Sequence, residues 1–145
     1  MKAIVSSLNA TIQELTKLCP PCWTPYRGKC YLRSTSQRSW EDSRKFCQDQ
    51  DADLVVVSDL DKQRFITSTF APNFWIGVSL ERKPSKIWKG VNGEEITTTF
   101  WATGEPNDSL EMENCVVSLS CCSEKSWNDA LCGKPEFCVC EKRMQ

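Results

Sequence analysis

Histidine is absent from the 145 residues. Without imidazole the chain cannot build a Ser-His-Asp triad, a histidine general base or the common zinc sites that carry histidine. Net charge is nearly absent as well: 18 Lys+Arg face 19 Asp+Glu, a formal −1, and no basic run stands out. That leaves no electrostatic footprint for nucleic acid and no patch for an anionic membrane. Long apolar runs are missing too. The longest, Leu54-Val55-Val56-Val57, is strand-sized, far short of the roughly 18 residues a membrane span needs. No apolar leader segment is read either, because Ser6-Ser7 follows Met1-Lys2-Ala3-Ile4-Val5. The length suits one domain.

What is abundant points to a particular compartment. Ten cysteines, spread along the chain rather than clustered as paired CxxC units, read as an oxidised framework in a secreted or extracellular setting. Six tryptophans imply heavy aromatic packing; Trp23, Trp40, Trp75, Trp88, Trp101 and Trp127 are read as core or loop anchors. With no leader but an oxidising requirement, the expectation is an excised ectodomain.

Residues 1–18 differ in texture from the rest, with no Cys, Gly, Pro or aromatic residue. Val5, Leu8, Ile12 and Leu15 fall at alternating spacings of three and four, and Cys19 would continue the series. Two readings stay open: the end of a neck that oligomerises, or a frayed amphipathic lead-in helix. Asn9-Ala10-Thr11 is an N-glycosylation sequon. Residues 19–145 read as the globular domain. Ser39 caps a helix through Cys47 whose inner face is Trp40, Ser43 and Cys47. Ser58-Asp59-Leu60-Asp61 caps a second through Phe70, with Leu60, the Arg64 stem and Phe65 as its inner stripe. Strands are expected at Tyr31–Arg33, Leu54–Val57, Phe74–Val78, Cys115–Leu119, Ser126–Cys132 and Phe137–Glu141. About 35 irregular residues between Val78 and Cys115 form a long loop, of the kind that is usually functional. The fold class is α+β.

That loop holds the informative chemistry. Glu105, Asn107 and Glu113, with Asn128 and Asp129 further on, supply three carboxylates and two amide carbonyls. Such hard oxygen donors suit Ca²⁺ at six to eight coordination, and with no thiolate or imidazole among them zinc and copper are disfavoured. Pro106 between two donors allows a cis bond that turns both neighbours the same way. Three like charges without a cation repel, so the loop is expected to be mobile without one. Acidic loop residues are often simply solvated, and Glu81, Arg82, Lys83 and Lys86 are read that way. The two glutamates could pass for a glycosidase pair, but as ion ligands both must be ionised, which leaves no general acid. An enzyme is not expected.

Several spaced motifs agree, in order, with one family. Cys19-x3-Trp23-x2-Tyr26-x-Gly28-x-Cys30-Tyr31, then Trp40…Cys47, Trp75-Ile76-Gly77-Val78, Trp127-Asn128-Asp129 and Cys132…Cys140-Glu141 together resemble the C-type lectin-like domain over residues 19–142. The resemblance implies two helices flanking antiparallel sheets, a long calcium-binding loop, and disulfides Cys19–Cys30, Cys47–Cys140 and Cys115–Cys132, each contributing about 2–4 kcal/mol. Cys22, Cys121, Cys122 and Cys138 are left over. Vicinal Cys121 and Cys122 seldom bond each other, so one is expected to reach Cys138 and the other Cys22 or a partner chain. One departure is Gly90, in Trp88-Lys89-Gly90-Val91-Asn92-Gly93, where the family has a second Trp; a packing difference is expected there.

By the same resemblance Glu105, Asn107, Glu113, Asn128 and Asp129 are the ligands of one principal Ca²⁺, and Glu105, Asn107, Glu113 and Asn128 also bind sugar. Glu105 to Glu113 is eight positions, as in sugar-binding members, and Glu-Pro-Asn implies mannose, N-acetylglucosamine, glucose or fucose through equatorial hydroxyls. The acidic ligands of a second calcium site would fall near Leu80 and Pro84, which cannot donate, leaving Asp108 without them. Asn107-Asp108-Ser109 is formally a sequon but is expected to be unmodified. The expected partners are such glycans and, through the neck, further copies of the chain. The alternative is a C-type lectin-like immune receptor whose main ligand is a protein. Calcium affinity should fall in acid, which would release ligand in endosomes.

Overall fold

The structure is a computed structural model that describes residues 18–108, 111–119 and 124–144. The expected neck, the Asn9 sequon and both vicinal cysteines lie outside them, save Leu18 at the neck's end. Among the described residues there are two helices and eight strands. They run β1 (Thr24–Tyr26), β2 (Lys29–Arg33), α1 (Trp40–Gln48), β3 (Asp53–Leu54), α2 (Leu60–Thr69), β4 (Phe74–Glu81), β5 (Ile87–Gly90), β6 (Cys115–Ser118), β7 (Trp127–Ala130) and β8 (Phe137–Arg143). The sheet order is β1-β2-β8-β4-β6-β7, with β3 added to β8 and β5 to β4. Strands β4 and β8 pair in parallel and the other pairs are antiparallel.

Helix α1 forms as its pattern predicts. The Ser39 hydroxyl accepts from the Asp42 N–H, Glu41 and Asp42 complement the first turn, and Trp40, Ser43 and Cys47 are buried. Helix α2 also starts as expected, with Asp59 accepting from the Lys62 N–H. Its inner face differs. Gln63 and Ile66 are the buried residues, Leu60 is exposed, and Arg64 reaches out to Glu124. The reason is hydrogen bonding: the Gln63 amide donates to Ser126 Oγ at 2.7 Å and accepts from Trp127 Nε1 at 3.2 Å, while Ser118 Oγ lies 2.8 Å from Ser126 Oγ. A polar group so satisfied tolerates complete burial.

The expected long irregular stretch is shorter than its composition suggests. Strand β4 continues to Glu81, and Val78–Glu81 pairs with Ile87–Gly90 as a hairpin across the charged residues 82–86. Val55 and Val57 are buried as expected, but only Asp53–Leu54 of that run is regular strand, because Val55 bonds Val139 and Gly77 instead of extending one ladder. Gly77 is required there: a Cβ would sit 2.6 Å from the Leu54 carbonyl oxygen. Gly90 is also buried; a Cβ there would lie 2.6 Å from the Asn92 side-chain Oδ1, which would have to shift to admit it.

Three disulfides link Cys19–Cys30, Cys47–Cys140 and Cys115–Cys132. The last joins the start of β6 to the residue two beyond β7, so it clamps both ends of the functional loop's exit to one platform. The expected bridge to Cys138 is not formed in the described structure: Cys22 and Cys138 are both free thiols, the first exposed and the second buried. Cys138 packs within 4.8 Å of the Cys47 and Cys140 sulfurs, and burial pushes its thiol pKa up. A neutral, buried thiol behaves as a small apolar side chain. Tryptophans tie the layers together: Trp40 Nε1 donates to the Ile76 carbonyl at 2.8 Å and Trp75 Nε1 to that of Arg38 at 2.9 Å. Among the described residues no helix is long and apolar enough to cross a membrane.

Gln63→Leu should therefore destabilise the domain by about 1–3 kcal/mol, because Trp127 Nε1 would lose its buried partner. Urea unfolding with the disulfides intact checks this; an unchanged midpoint would mean the network carries no net stability.

Candidate functional site

Strand β7 begins with Trp127 fully buried against Phe100 and Trp101, whose rings lie 5.6 Å away edge-on, and Trp88 packs on Trp101 at 4.9 Å. This aromatic block fixes the strand and draws in the start of the long loop. The Trp127 N–H donates to the Phe100 carbonyl and the Ala102 N–H to that of Trp127, both at 2.9 Å; Glu105 N–H then turns back to the Ala102 carbonyl. The chain thus reaches the cis Glu105–Pro106 bond beside Asn128. With the Asn128 amide oriented so that both its polar atoms are satisfied, its nitrogen donates to the two Glu105 oxygens at 2.7 and 2.9 Å.

Next in β7 is Asp129, fully buried. Its carboxylate accepts from the backbone N–H groups of Asn107, at 3.0 Å, and Asp108, at 2.6 Å. Two backbone amides thus satisfy the hydrogen-bonding needs of this buried carboxylate. Glu113 is half-buried, near enough for its charge to act on Glu105. Of the five residues singled out in the sequence, Glu105 and Asn128 are thus hydrogen-bonded through their side chains, Asp129 holds the backbone N–H of Asn107, and the charge of Glu113 acts on Glu105.

The Glu105 carboxyl is pushed above its ordinary pKa. Burial is the largest cause, followed by the charge of Asp129 and a hydrogen bond to it, with Glu113 adding to the effect; the Asn107 N–H acts in the opposite direction. The neighbouring cations are engaged elsewhere. Arg82 and Lys86, expected to be solvated, both bond Asp108: Arg82 Nη2 and Nη1 at 2.6 and 3.1 Å, Lys86 Nζ at 3.0 Å. They hold its carboxyl well below the usual range, Arg82 first. Arg82 Nε also donates to Asn114 Oδ1 at 2.7 Å. Asp108, expected to lack the acidic companions of a second calcium site, is neutralised from within the chain. Sequence gave no hint of this: Arg82 and Asp108 are 26 residues apart, with no periodicity linking them.

The family model for the Lectin C-type domain matches residues 36–142. The chain is 36% identical over 129 residues to mouse C-type lectin domain family 4 member G, covering 86% of this chain and 43% of that protein. It is 35% identical over 144 residues to CD209 antigen-like protein 2 of Macaca mulatta, covering 95% and 54%. Among solved structures, the C-type lectin domain of murine dendritic cell inhibitory receptor 2, in complex with N-glycan, superposes with a TM-score of 0.77 at 31% identity, covering 86% of this chain and 98% of that one. The chain belongs to the C-type lectin domain family. It is a binding domain of the lectin-like receptor class and not an enzyme, and it spans about half the length of the curated relatives named here.

In metal-free protein, a carboxyl-carbon NMR titration should find Glu105 above the usual glutamate range. Asp129→Asn should bring it down, because it removes the neighbouring charge. No movement on that substitution would assign the shift to burial alone.

Proposed function

We propose that this chain is the calcium-dependent sugar-binding domain of an extracellular receptor lectin, with Glu105, Asn107, Glu113, Asn128 and Asp129 holding one principal Ca²⁺. The observation that supports it is the crowding of Glu105, Asp129 and Glu113 at one rim while Arg82 and Lys86 are taken up by Asp108. Crowded carboxylates with side-chain amides beside them are a hard-donor set that a divalent cation stabilises. The absence of imidazole and thiolate from the set favours calcium over zinc or copper.

A bound calcium ion supplies coordination positions that two neighbouring sugar hydroxyls complete. The chain's own residues orient those hydroxyls. Glu105 with Asn107, and Glu113 with Asn128, each offer one acceptor and one donor, which satisfies both roles of a hydroxyl. By family likeness the order Glu-Pro-Asn suits equatorial 3- and 4-hydroxyls, hence mannose, N-acetylglucosamine, glucose or fucose over galactose. The N-glycan held by the murine receptor domain supports glycan binding in general. A single sugar on a shallow rim binds only at about millimolar strength, so avidity through oligomers of the residues 1–18 neck supplies useful affinity. The receptor is a type II membrane protein or a secreted one.

A glycan array with multimerised protein, run with calcium and with chelator, tests this. Calcium-dependent binding to mannose- or fucose-type glycans is expected, and Glu105→Gln together with Asn107→Asp should move preference toward galactose. Silence in both arms, with calcium still bound by calorimetry, would point to a protein ligand instead.

Acid should weaken the site. Protons compete with the ion for Glu105, Glu113 and Asp129, and the raised pKa of Glu105 moves the onset to higher pH than an ordinary carboxylate would give. Calorimetric calcium affinity should fall between about pH 7 and about pH 5. Equal affinities at the two would reject endosomal release.

A further inference from the structure

Arg82 is not a calcium ligand, yet it touches the loop at two places that matter. Its Nη atoms grip Asp108 and its Nε grips Asn114. Each of these directly follows a proposed ligand: Asp108 follows Asn107 and Asn114 follows Glu113. Arg82 stands on the β4–β5 hairpin, and the adjoining backbone is anchored too, since the Leu80 N–H donates to the Asn114 carbonyl at 2.7 Å. Its side chain is only 26% exposed and Asp108's 21%, so the fork is partly shielded from water. From the opposite side Asp129 holds the Asn107 and Asp108 N–H groups.

We propose that Arg82 is a positioning residue: its guanidinium fork spans Asp108 and Asn114, and so sets the spacing of Asn107 and Glu113 before any ion arrives. This rests on the calcium reading above. The device is geometric. A planar guanidinium offers donors fixed in one plane, so it can hold a carboxylate and an amide oxygen together; an ammonium is a point charge that cannot. A positioning role also has a distinctive sign. By Coulomb's law alone, removing a cation beside a calcium site should tighten ion binding. If Arg82 positions ligands, removing it should weaken ion binding instead.

The test uses the whole chain with Arg82→Met, Arg82→Lys and Lys86→Met, measuring calcium affinity by calorimetry. It adds hydrogen exchange of the Asn107 and Asp108 amides in chelator, where no ion contributes. Both Arg82 variants should exchange faster at those amides and bind calcium roughly 10–100-fold more weakly, the range seen when supports of metal ligands are removed. Arg82→Lys should not rescue. Lys86→Met removes charge without breaking the fork, and its calcium binding should hold or tighten. Unchanged exchange in the Arg82 variants, equal or tighter calcium binding by Arg82→Met, or full rescue by Arg82→Lys would each overturn the proposal. Should Arg82→Met fail to fold, Arg82→Lys carries the same readouts. If the unsubstituted chain binds no calcium, the calcium reading fails, while exchange at the two amides still decides whether Arg82 holds the loop.

Discussion

The Asp129 carboxylate joins two parts of the domain with opposite character. It belongs to β7, a strand locked into the sheet by β6 and by the Trp127 ring contacts, yet its two oxygens are committed to backbone N–H groups of the irregular loop. A charged group without exposed surface is affordable only when such donors compensate its lost hydration. Once that condition is met, the loop's backbone at residues 107 and 108 is referred to the rigid sheet. Glu105, three residues before Asp108, is then brought against Asn128, the residue before Asp129 in β7. The register of a four-residue strand thereby fixes where a carboxylate and an amide from a distant loop will meet.

This arrangement has an electrostatic cost concentrated on Glu105, whose proton affinity is raised by burial and by the neighbouring carboxylates. The same loop contains Asp108, only three residues away, whose proton affinity is lowered by Arg82 and Lys86. Two acids on one loop are thus driven in opposite directions. The partition is set by which of them the hairpin cations can reach. Charge neutralised within the chain stays with Asp108, while charge left uncompensated collects where Glu105 faces Asp129.

Much of the scaffold was legible because its signals are local or carry spaced markers. The Ser39 cap, the Trp40-Ser43-Cys47 face and the three disulfide pairs needed only short patterns or a family resemblance. What escaped has a common cause. Gln63 is an ordinary polar helix residue until Ser126 and Trp127, more than 60 positions away, satisfy its amide. Helical periodicity therefore assigned the inner stripe to Leu60, the Arg64 stem and Phe65, of which Phe65 does pack on the core. Strand β5 was hidden because Lys86 and Pro84 interrupt any alternation, and because its partner β4 reads as ending at Val78 when apolar residues give out. Arg82 looked solvated because charge on a hairpin usually is. In each instance the deciding contact lies far off in sequence and leaves no periodic trace.

The candidate site was more legible than its supports for a related reason. Metal ligands must be of particular residue types, so their chemistry survives as a readable composition even when their distances are unknown. Supporting residues face no such restriction: Arg82 acts through the shape of its fork and Gln63 through two complementary hydrogen bonds, and many sequences could meet either need. The consequence is a division within this domain. Residues that would touch an ion or a hydroxyl are named by what they are, whereas residues that hold them in place are named only by where the fold has put them. The fold likeness to other C-type lectins locates the rim, but the behaviour of this particular rim depends on the second group.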